Sequence, residues 1–454
     1  MHGKRSAALG VLAVVGLGGL IATAAAVPAT SVGATATFLS KRSEQRYAVP
    51  AGTQLVAVEV QGAWGGAFGG GPGAYNAAFG QNGAAWQGLL PVTPGQTLYV
   101  EVGANGAPAG GPTFGGGGAA GTTDPEGAVG GSGGGATDVR TCSQAARHCA
   151  GGGTSLQSRL IVAGGAGGNG GGGVTAGAGL SCRAGSGGGS ATNEQPLPKG
   201  NPALGPVPIR TSAGLVIPGL ATGDDHTVKT SAGITDAGGG STVPGSGGKA
   251  TSCAGGGAFQ ANTYSGAVAG RPGSGPNGGA GGNAAGLKPQ PCGTPGKCND
   301  AGPGGGGGGG YYGGGGGVSG FDVCSGPGST ACGITGAFGG GAGSSFVSKK
   351  LLYPGPSAIG GLNMGVPYAK IAPVLAISSP RSGAVYHSGQ VVKASWSCSQ
   401  PPGWGYGVQN CAATTPVGGA VDTRLPGKHT FTVHGIQQNP GEPITISVTY
   451  TVRA

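Results

Sequence analysis

The residues of this chain that are best suited to binding are aromatic side chains set among glycines. An aromatic ring held on a rigid backbone can stack on a sugar or anchor a protein partner. The same ring can instead seal a glycine-rich region against a neighbouring sheet, which is the more ordinary role, and the sequence leaves both roles open. The candidates for partner binding are Trp64, Phe68, Tyr75, Trp86, Tyr311 and Tyr312.

Titratable residues are too few and too scattered for a recognisable catalytic arrangement. The chain has only 14 acidic residues, and their densest cluster, Asp224-Asp225-His226, is typical of a solvated polar turn. Asp138 is predicted to form a local cap or to pair locally with Arg140 rather than to act as a base. The histidines near the C-terminus are predicted to be surface residues: His387, His429 and His434.

Glycine-rich sequence also produces motifs that resemble catalytic loops by chance. Gly247-Gly248-Lys249-Ala250 lacks the Ser or Thr that a phosphate-binding loop needs after its lysine. Gly131-Ser132-Gly133 lies inside glycine runs instead of between a strand and a helix, where a nucleophilic serine would be expected. We therefore predict no enzyme activity, no cofactor and no metal.

Composition fixes the broad class of the protein. The 454 residues include 112 glycines and 33 prolines, and 8% are charged. Glycine costs roughly 0.5–1 kcal/mol relative to alanine inside a helix or strand, which excludes a large helical or doubly wound enzyme. Collagen is excluded as well, because runs such as Gly304 to Gly310 break its three-residue repeat. The remaining class is a glycine-rich architecture with a limited β framework.

The N-terminus is typical of a secretory signal. Lys4 and Arg5 precede an apolar stretch from Ala7 to Ala26, with small-residue cleavage sites at Ala24–Ala26 or Ala34–Ala36. A retained membrane anchor is the alternative, since the stretch could nearly span a bilayer. We predict a secreted or extracellular protein, possible association with the cell wall, and no integral membrane span once the signal is removed.

The ten cysteines favour disulfides, because their number is even and the chain is predicted to be exported. Metal binding fails on spacing, since there is no Cys-x-x-Cys motif. Sequence cannot fix the connectivity. Proximity along the chain predicts the pairs Cys142–Cys149, Cys324–Cys332, Cys398–Cys411, Cys292–Cys298 and Cys182–Cys253.

The excess of basic residues does not indicate a nucleic-acid partner. The formal net charge of +10 becomes +8 without Lys4 and Arg5, and the remaining basic residues are scattered. They form no stripe with aromatic residues, so nucleic-acid binding is not expected. A mildly basic surface can still attract anionic wall polymers or lipid.

The chain divides into a signal and linker (residues 1–36), a glycine-rich domain (37–371) and a C-terminal domain (372–454). In the glycine-rich domain, alternation predicts two strands that each have one apolar face. The residues on those faces are Val56, Val58 and Val60, and Leu98, Val100 and Val102. Residues 158–163 and 344–347 are further short strands beside glycine runs, and residues 194–243 are an irregular excursion.

The C-terminal domain shows longer alternation. Apolar residues alternate with polar ones around Trp396, around Phe431 and from Ile444 to Val452. Such a period of two over about 80 residues favours antiparallel strands with one solvated face. An immunoglobulin-like sandwich fits this pattern.

The glycines themselves must be either a flexible linker or an ordered structure that suits them. The ordered option is the extended helix with three residues per turn, whose backbone groups point outward. Without Cβ atoms, several such helices could lie side by side and bond to one another. That bundle would need strands and disulfides to hold its ends in register.

An ordered series of short motifs resembles the glycine-rich domain of the anaplastic lymphoma kinase and leukocyte tyrosine kinase ectodomains and its bacterial secreted relatives. The resemblance covers about residues 45–350. It rests on the segments 57–66, 92–100, 133–140, 158–165, 310–313 and 341–347. It implies a TNF-like β-sandwich with an inserted bundle of polyglycine II helices. This chain departs from the receptors because it has no kinase, so receptor signalling does not carry over.

Residues 391–398, 429–435 and 444–452 in turn resemble bacterial immunoglobulin-like repeats of extracellular proteins. The fold expected for the whole chain is therefore all-β, with a TNF-like sandwich, a polyglycine bundle and an immunoglobulin-like sandwich. The expected function is non-enzymatic, as an adhesin-like structural or binding protein of the cell surface. Its expected partner is a cell-envelope polymer, a glycan or a surface protein. The alternatives are an ice-binding or surface-ordering protein and an extracellular hydrolase.

Overall fold

The structure is a computed structural model, and its secondary structure is almost entirely β. A single 3-10 helix, Leu156–Ser158, interrupts the strands of the described part, so the expected all-β class is confirmed. Residues 1–32, which contain the predicted signal, lie outside that part. The described residues are 33–67, 82–122, 129–171, 209–210, 214–217, 270–283, 302–317, 319, 322–324, 332–334, 337, 339–357, 366–401, 404, 406–438 and 441–454.

The strands are numbered in chain order. They are β1 Ala36–Leu39, β2 Gln45–Ala48, β3 Thr53–Gln61, β4 Ala85–Pro91, β5 Thr97–Glu101, β6 Thr137–Arg140, β7 Arg159–Ala163, β8 Ile209–Arg210, β9 Gly214–Ile217, β10 Asp322–Cys324, β11 Cys332–Ile334, β12 Ser345–Ser348, β13 Leu352–Pro356, β14 Tyr368–Ser379, β15 Val385–His387, β16 Ser395–Cys398, β17 Val408–Ala413, β18 Gly427–Gln437 and β19 Pro443–Arg453. Within the described residues, no helix is long and apolar enough to cross a membrane.

Two antiparallel sheets pack face to face around one apolar core. The first has the order β1-β14-β3-β4-β13, with β16 also paired to β14, and the second has the order β2-β5-β6-β7-β12-β9-β8. Val56, Val58 and Val60 of β3 meet Leu98 and Val100 of β5 in this core. The predicted apolar faces of both strands are therefore confirmed.

The first sheet is also covered on its other face. Leu55 and Ala57 of β3 and Leu89 of β4 belong to a second apolar core with residues of the C-terminal region. That region contributes the four-stranded sheet β15-β19-β18-β17 to this core. The middle sheet is thus buried between two others, which explains why β3 is apolar on both faces.

Strand β14 connects the two cores. It pairs with β3 along most of its length and with β16 of the C-terminal region near its end. The predicted boundary between residues 371 and 372 lies inside this strand. Residues on both sides of the boundary, Ile371 and Ala372, are buried in different cores.

The long hairpin β18–β19 has the predicted alternation. Phe431 and Val433 face the core opposite Val448 and Ile446. Thr432 and Ser447 lie on the outward face, where their hydroxyls are 2.8 Å apart. One face of this sheet is therefore apolar and the other is polar, as the period of two requires.

The glycine segments are attached to strand ends at one end of the first two sheets. Strands β3, β5 and β7 run directly into the glycine-rich segments 62–66, 103–106 and 164–171, and β6 and β12 begin directly after 131–136 and 339–344. Thr137 at the start of β6 is paired with Ala163 at the end of β7. The sheets therefore place the glycine segments side by side.

Segment 304–310 lies among six other segments of the described chain and bonds to all of them through the backbone. The N···O distances are 2.7–3.0 Å. It donates from Gly304, Gly307 and Gly310 to segment 276–282, from Gly306 and Gly309 to segment 131–134, and from Gly308 to Gly341. It accepts from residues of segments 118–121, 165–171 and 314–317. Five of these six neighbours are reached again after three residues, and the neighbour that contains Gly341 is reached again from Tyr311, which donates to Ser344.

Close backbone approach makes glycine obligatory in this segment. A Cβ atom on Gly307 would lie within 3.0 Å of the backbone of Gly314, and one on Gly308 within 3.0 Å of the backbone of Gly165. Real Cβ atoms essentially never come so close to another heavy atom. Backbone cannot move aside as a flexible side chain can, so even alanine is excluded.

Two of the predicted disulfides are present. Cys142 is bonded to Cys149, and Cys398 is bonded to Cys411. Cys324 and Cys332 are directly opposite in the β10–β11 ladder, and their disulfide stays a prediction. The remaining cysteines lie outside the described residues: Cys182, Cys253, Cys292 and Cys298. Of the predicted irregular excursion at 194–243, residues 209–210 and 214–217 form strands β8 and β9, which extend the second sheet beyond β12.

Candidate functional site

Tyr311 and Tyr312 lie where the glycine segments meet the outer face of the second sheet. The ring of Tyr311 stacks on Phe346 of β12, with centroids 4.4 Å apart, and Tyr312 meets Tyr311 edge-on at 5.0 Å. Phe346 is buried with Ala136, and both tyrosines remain half-exposed. We call Tyr311, Tyr312, Phe346 and the neighbouring Arg159 the tyrosine cluster.

The backbone holds both tyrosines in place. The Tyr311 amide donates to the Ser344 carbonyl at 2.8 Å, and the Tyr312 amide donates to the Ser344 hydroxyl at 2.9 Å. The Ser344 amide returns a bond to the Tyr312 carbonyl at 2.8 Å. Since Ser344 directly precedes β12, the sheet fixes the position of the two rings.

Arg159, at the start of β7, covers the other face of Tyr311. Its guanidinium carbon is 4.5 Å from the centre of the Tyr311 ring, a distance suited to a cation–π interaction. The same guanidinium donates to the carbonyls of Gly310 and Tyr311. Burial lowers the pKa of Arg159 and raises that of Tyr311. Tyr311 is thus clamped between an arginine and a phenylalanine, and Tyr312 leaves its ring more available to a ligand.

A buried charge cluster lies on the same outer face, on strands β5 and β6. Arg140 forms a two-pronged ion pair with Asp138, with an Nε–Oδ1 distance of 2.7 Å and a second bond from Nη2 to Oδ2. The Nη2 atom is also 3.0 Å from Oε2 of Glu101. The predicted local pairing of Asp138 with Arg140 is confirmed.

Glu101 is the least well paired carboxyl group of this cluster. Burial raises its pKa to about 7, and the neighbouring charge of Asp138 adds to the effect, although Arg140 acts in the opposite direction. Because Asp138 takes both prongs of the guanidinium, Glu101 receives a single contact, and its Oε1 atom is buried without a hydrogen-bond partner. Burial acts to lower the pKa of Arg140, but its ion pair with Asp138 outweighs this effect, so the pKa is raised.

The loop closed by the Cys142–Cys149 disulfide and the residues after it cover the charge cluster. Ser155 accepts a hydrogen bond from Arg140 at 2.9 Å and donates to the Cys142 carbonyl at 3.0 Å. Ser143 donates to Glu44 at 2.6 Å and ties the loop to the N-terminal strands. Glu101, Asp138 and Arg140 are therefore enclosed, with at most 5% of any of these residues exposed.

The structure separates the predicted aromatic residues. Tyr311 and Tyr312 come together as described. Trp64 is half-buried in another glycine segment, where its amide contacts the Asn105 side chain at 3.3 Å. Trp86 is 8% exposed and packs in the core between the first two sheets, so its ring is not presented to solvent. Phe68 and Tyr75 lie outside the described residues.

Glu101 and Arg159 are the residues that reasoning from sequence did not single out. The sequence did contain a signal for both residues. Each is a charged residue near one end of a predicted strand, and each of those strands borders a glycine run. What sequence lacked was the register that places Glu101 opposite Asp138.

The predicted surface histidines lie in the C-terminal region. His387 and His434 are exposed, and His429 is half-buried with its Nε2 atom 2.8 Å from the Leu425 carbonyl. No group of His, Cys, Asp and Glu with the arrangement of a metal site occurs in the described segments. No protein-family model matches the chain, and comparison with curated proteins found no similar sequence.

Proposed function

We propose that this chain is a non-enzymatic, exported structural and binding protein of the cell surface, with a rigid glycine scaffold. The observation that carries the proposal is the bonding of segment 304–310 to six neighbours with a period of three. A helix with three residues per turn sends its backbone groups outward in three directions, which accounts for that period. On this basis we assign the glycine segments to a polyglycine II bundle.

For the finer fold we propose the TNF-like sandwich and the immunoglobulin-like module that the motifs imply. Two antiparallel sheets with one shared core, and glycine segments inserted at one end, support the first. For the second, the support is the four-stranded sheet and its Cys398–Cys411 disulfide. The module would share its core with the N-terminal sheet, through Leu55 and Leu89.

The binding face that we propose is the exposed part of the tyrosine cluster. Backbone bonds hold Tyr311 and Tyr312, and their rings are packed, with Tyr311 stacked on Phe346 and Tyr312 edge-on to Tyr311, so these side chains have less freedom to lose when a ligand binds. Half-exposed aromatic rings of this kind suit a sugar ring or an apolar protein surface. The proposed partner is therefore a glycan, a cell-envelope polymer or a surface protein.

A hydrolase is the alternative function to which the charge cluster of Glu101, Asp138 and Arg140 could point. A glutamate with a raised pKa beside an aspartate is a common feature of acid–base catalysis. In this chain both carboxyl groups are enclosed under the disulfide loop, and the arginine between them is engaged in ion pairs. The geometry therefore favours a structural role for the cluster.

The proposal is tested by retention of the protein on isolated cell-envelope fractions and on glycan arrays. We expect the chain to be retained, and we expect Tyr312→Ala to lower retention about tenfold, as loss of an aromatic contact residue does. Tyr99→Ala is the matched control, because Tyr99 is a half-buried tyrosine on the same sheet face but outside the cluster. Retention by no fraction, or equal retention of the two variants, would contradict the binding role.

Amide hydrogen exchange tests the scaffold separately. The amides of Gly304 and of residues 306–310 should be protected to the level of the sheet strands, because they bond within a buried bundle. Exchange at the rate of an unstructured chain would remove the polyglycine bundle from the proposal while leaving the binding experiment to stand by itself.

A further inference from the structure

Two loops adjoin at one end of the four-stranded C-terminal sheet. The Gly389 amide donates to the Thr423 carbonyl at 2.9 Å, and the Thr423 hydroxyl donates to the Gln390 carbonyl at 2.7 Å. The Ser388 hydroxyl also donates to the Arg424 carbonyl at 2.8 Å. We call residues 388–393 and 421–428 together the tip. These bonds hold its two loops together as one surface.

The tip carries the two most exposed large apolar side chains of the described residues. Val391 is 81% exposed and Leu425 is 70% exposed. Val391 lies between Gln390 and Val392, which bond to Thr423 and Val421 across the loop pair. Leu425 follows two residues after Thr423, so the two apolar side chains lie on adjoining segments. Single exposed apolar residues are ordinary, but these two lie on loops that are bonded to each other, which brings both to the same end of the sheet.

Basic residues lie on the same two loops and on the strand ends that adjoin them. Lys393 is exposed on the same side of its segment as Val391, two residues away, and Lys428 begins the adjoining strand. Arg424 is 86% exposed, and Arg453 accepts the Ser388 amide through its carbonyl at 2.7 Å. Three of these four positive charges belong to the tip and Arg453 adjoins it, whereas the only acidic side chain of the tip is Asp422, paired with Arg424 at 3.2 Å. Glu442, the other acidic residue of 366–454, lies at the opposite end of β18–β19, where its carbonyl bonds to Gln437.

We propose that the tip docks on the surface of an anionic lipid bilayer, with Val391 and Leu425 inserted between the headgroups. This deepens the proposed function by naming one envelope component and a second contact surface. Basic side chains near a bilayer are attracted to anionic headgroups, while apolar side chains gain only if an apolar phase is available. A soluble anionic polymer would use the basic residues but offers nothing to the apolar pair. A bilayer of anionic lipid accounts for both features.

Co-sedimentation of the full chain with vesicles tests this docking. The probes are phosphatidylglycerol mixed with phosphatidylcholine, phosphatidylcholine alone, and soluble polyphosphate as a competitor. We expect Val391→Ser with Leu425→Ser to weaken binding to the anionic vesicles about tenfold or more, from the apolar area withdrawn. We expect Lys393→Gln with Lys428→Gln to weaken it about tenfold, and binding to fall as salt is added.

The matched controls remove the same groups elsewhere. Leu39→Ser with Val366→Ser removes two exposed apolar side chains far from the tip, and Lys349→Gln with Lys350→Gln removes two exposed charges. Both should bind like the unsubstituted chain. Every chain compared has the same residues 7–26, so vesicle binding by that apolar stretch is common to all of them.

The proposal is overturned if the Val391 and Leu425 variant binds anionic vesicles as well as the unsubstituted chain. Polyphosphate could also release the unsubstituted chain and the Val391 and Leu425 variant from anionic vesicles equally well. That result would overturn the proposal in favour of an anionic polymer as the partner. Absence of any vesicle binding overturns it too. In that case, retention on envelope fractions that depends on Tyr312 would leave the proposed function standing, so the two failures are distinguishable.

Discussion

The glycine segments and the β18–β19 hairpin are built by opposite means. Segment 304–310 has no side chains, and its contacts are backbone hydrogen bonds to neighbouring segments on every side. The backbone bonds of the hairpin run along its strand edges, and Phe431, Val433 and Val448 pack one of its faces into an apolar core. The first region is therefore ordered by hydrogen bonds, and the second is ordered by apolar burial.

This difference reverses the usual rule for substitutions. In an apolar core, removing side-chain atoms leaves a cavity and costs stability. Segment 304–310 has no side-chain atoms to remove, and a methyl group added to Gly307 or Gly308 would run into backbone that cannot move aside. The two regions should therefore be damaged by opposite changes.

A Gly307→Val substitution should have the largest effect. Its Cβ would meet the backbone of Gly314 within 3.0 Å, so the bundle must separate, at a cost of about 4 kcal/mol or more in unfolding free energy. Denaturant unfolding, together with hydrogen exchange of the neighbouring segments, measures this. The control is Gly111→Ala, because a Cβ there meets nothing within 4 Å. Equal stability of the two variants would show that close approach does not govern this region.

Phe431→Ala removes side-chain atoms from the hairpin, the opposite of adding them to a glycine segment. We expect it to have the next largest effect on the unfolding free energy. Phe431 is 1% exposed in the C-terminal core, and loss of a buried phenylalanine costs about 3–5 kcal/mol. The unfolding midpoint of the C-terminal region in urea measures it, and the exposed His434→Ala on the same strand is the control. A cost below about 1 kcal/mol would mean that apolar burial does not hold this sheet.

The sequence pattern Asp-x-Arg occurs once at a buried position and once at an exposed position, which separates the effect of burial from that of sequence. Asp138 and Arg140 are buried, whereas Asp422 and Arg424 are 49% and 86% exposed. Arg140→Met should cost about 3–4 kcal/mol, since it leaves Asp138 and Glu101 buried without their counter-charge. Arg424→Met should cause no measurable change in the unfolding free energy, because exposed pairs contribute little. Similar costs for both variants would show that burial does not decide the role of the pair.

Glu101 should make the free energy of unfolding depend on pH between about 4.5 and about 7. Its pKa rises from 4.5 to about 7 on folding, so between these values the folded chain keeps a proton that the unfolded chain has lost. Stability should therefore fall as pH rises from about 4.5 to about 7, by up to about 3 kcal/mol, and then level off. Urea unfolding across this range measures it. Glu101→Gln should flatten the profile, and an unchanged slope in that variant would assign the dependence to other groups.

Much of the β framework could be predicted from the sequence. Alternation identified the apolar faces of β5, β18 and β19, because a strand with one buried face needs a period of two, and it identified one of the two buried faces of β3. The disulfides Cys142–Cys149 and Cys398–Cys411 followed from proximity along the chain. The pairing of Asp138 with Arg140 followed in the same way, since only one residue separates them. All of these features are local.

Features that join distant segments could not be predicted in this way. Residue types gave the four described aromatic candidates equal weight, and only the fold placed Trp86 in a core and Tyr311 against Phe346. The second core, which joins Leu55 to the C-terminal strands, depends on both faces of one sheet. Nothing in the local pattern of residues 50–61 states what covers the second face.

The sequence by itself determined that this chain is a β protein with glycine segments, because side-chain periodicity and the lack of Cβ atoms are properties of each segment alone. Tertiary structure decided which segments lie beside one another. Backbone amides and carbonyls are the same in every glycine, so glycine runs carry no information about their partners. The strands from which they extend supply that information, by fixing where each run begins.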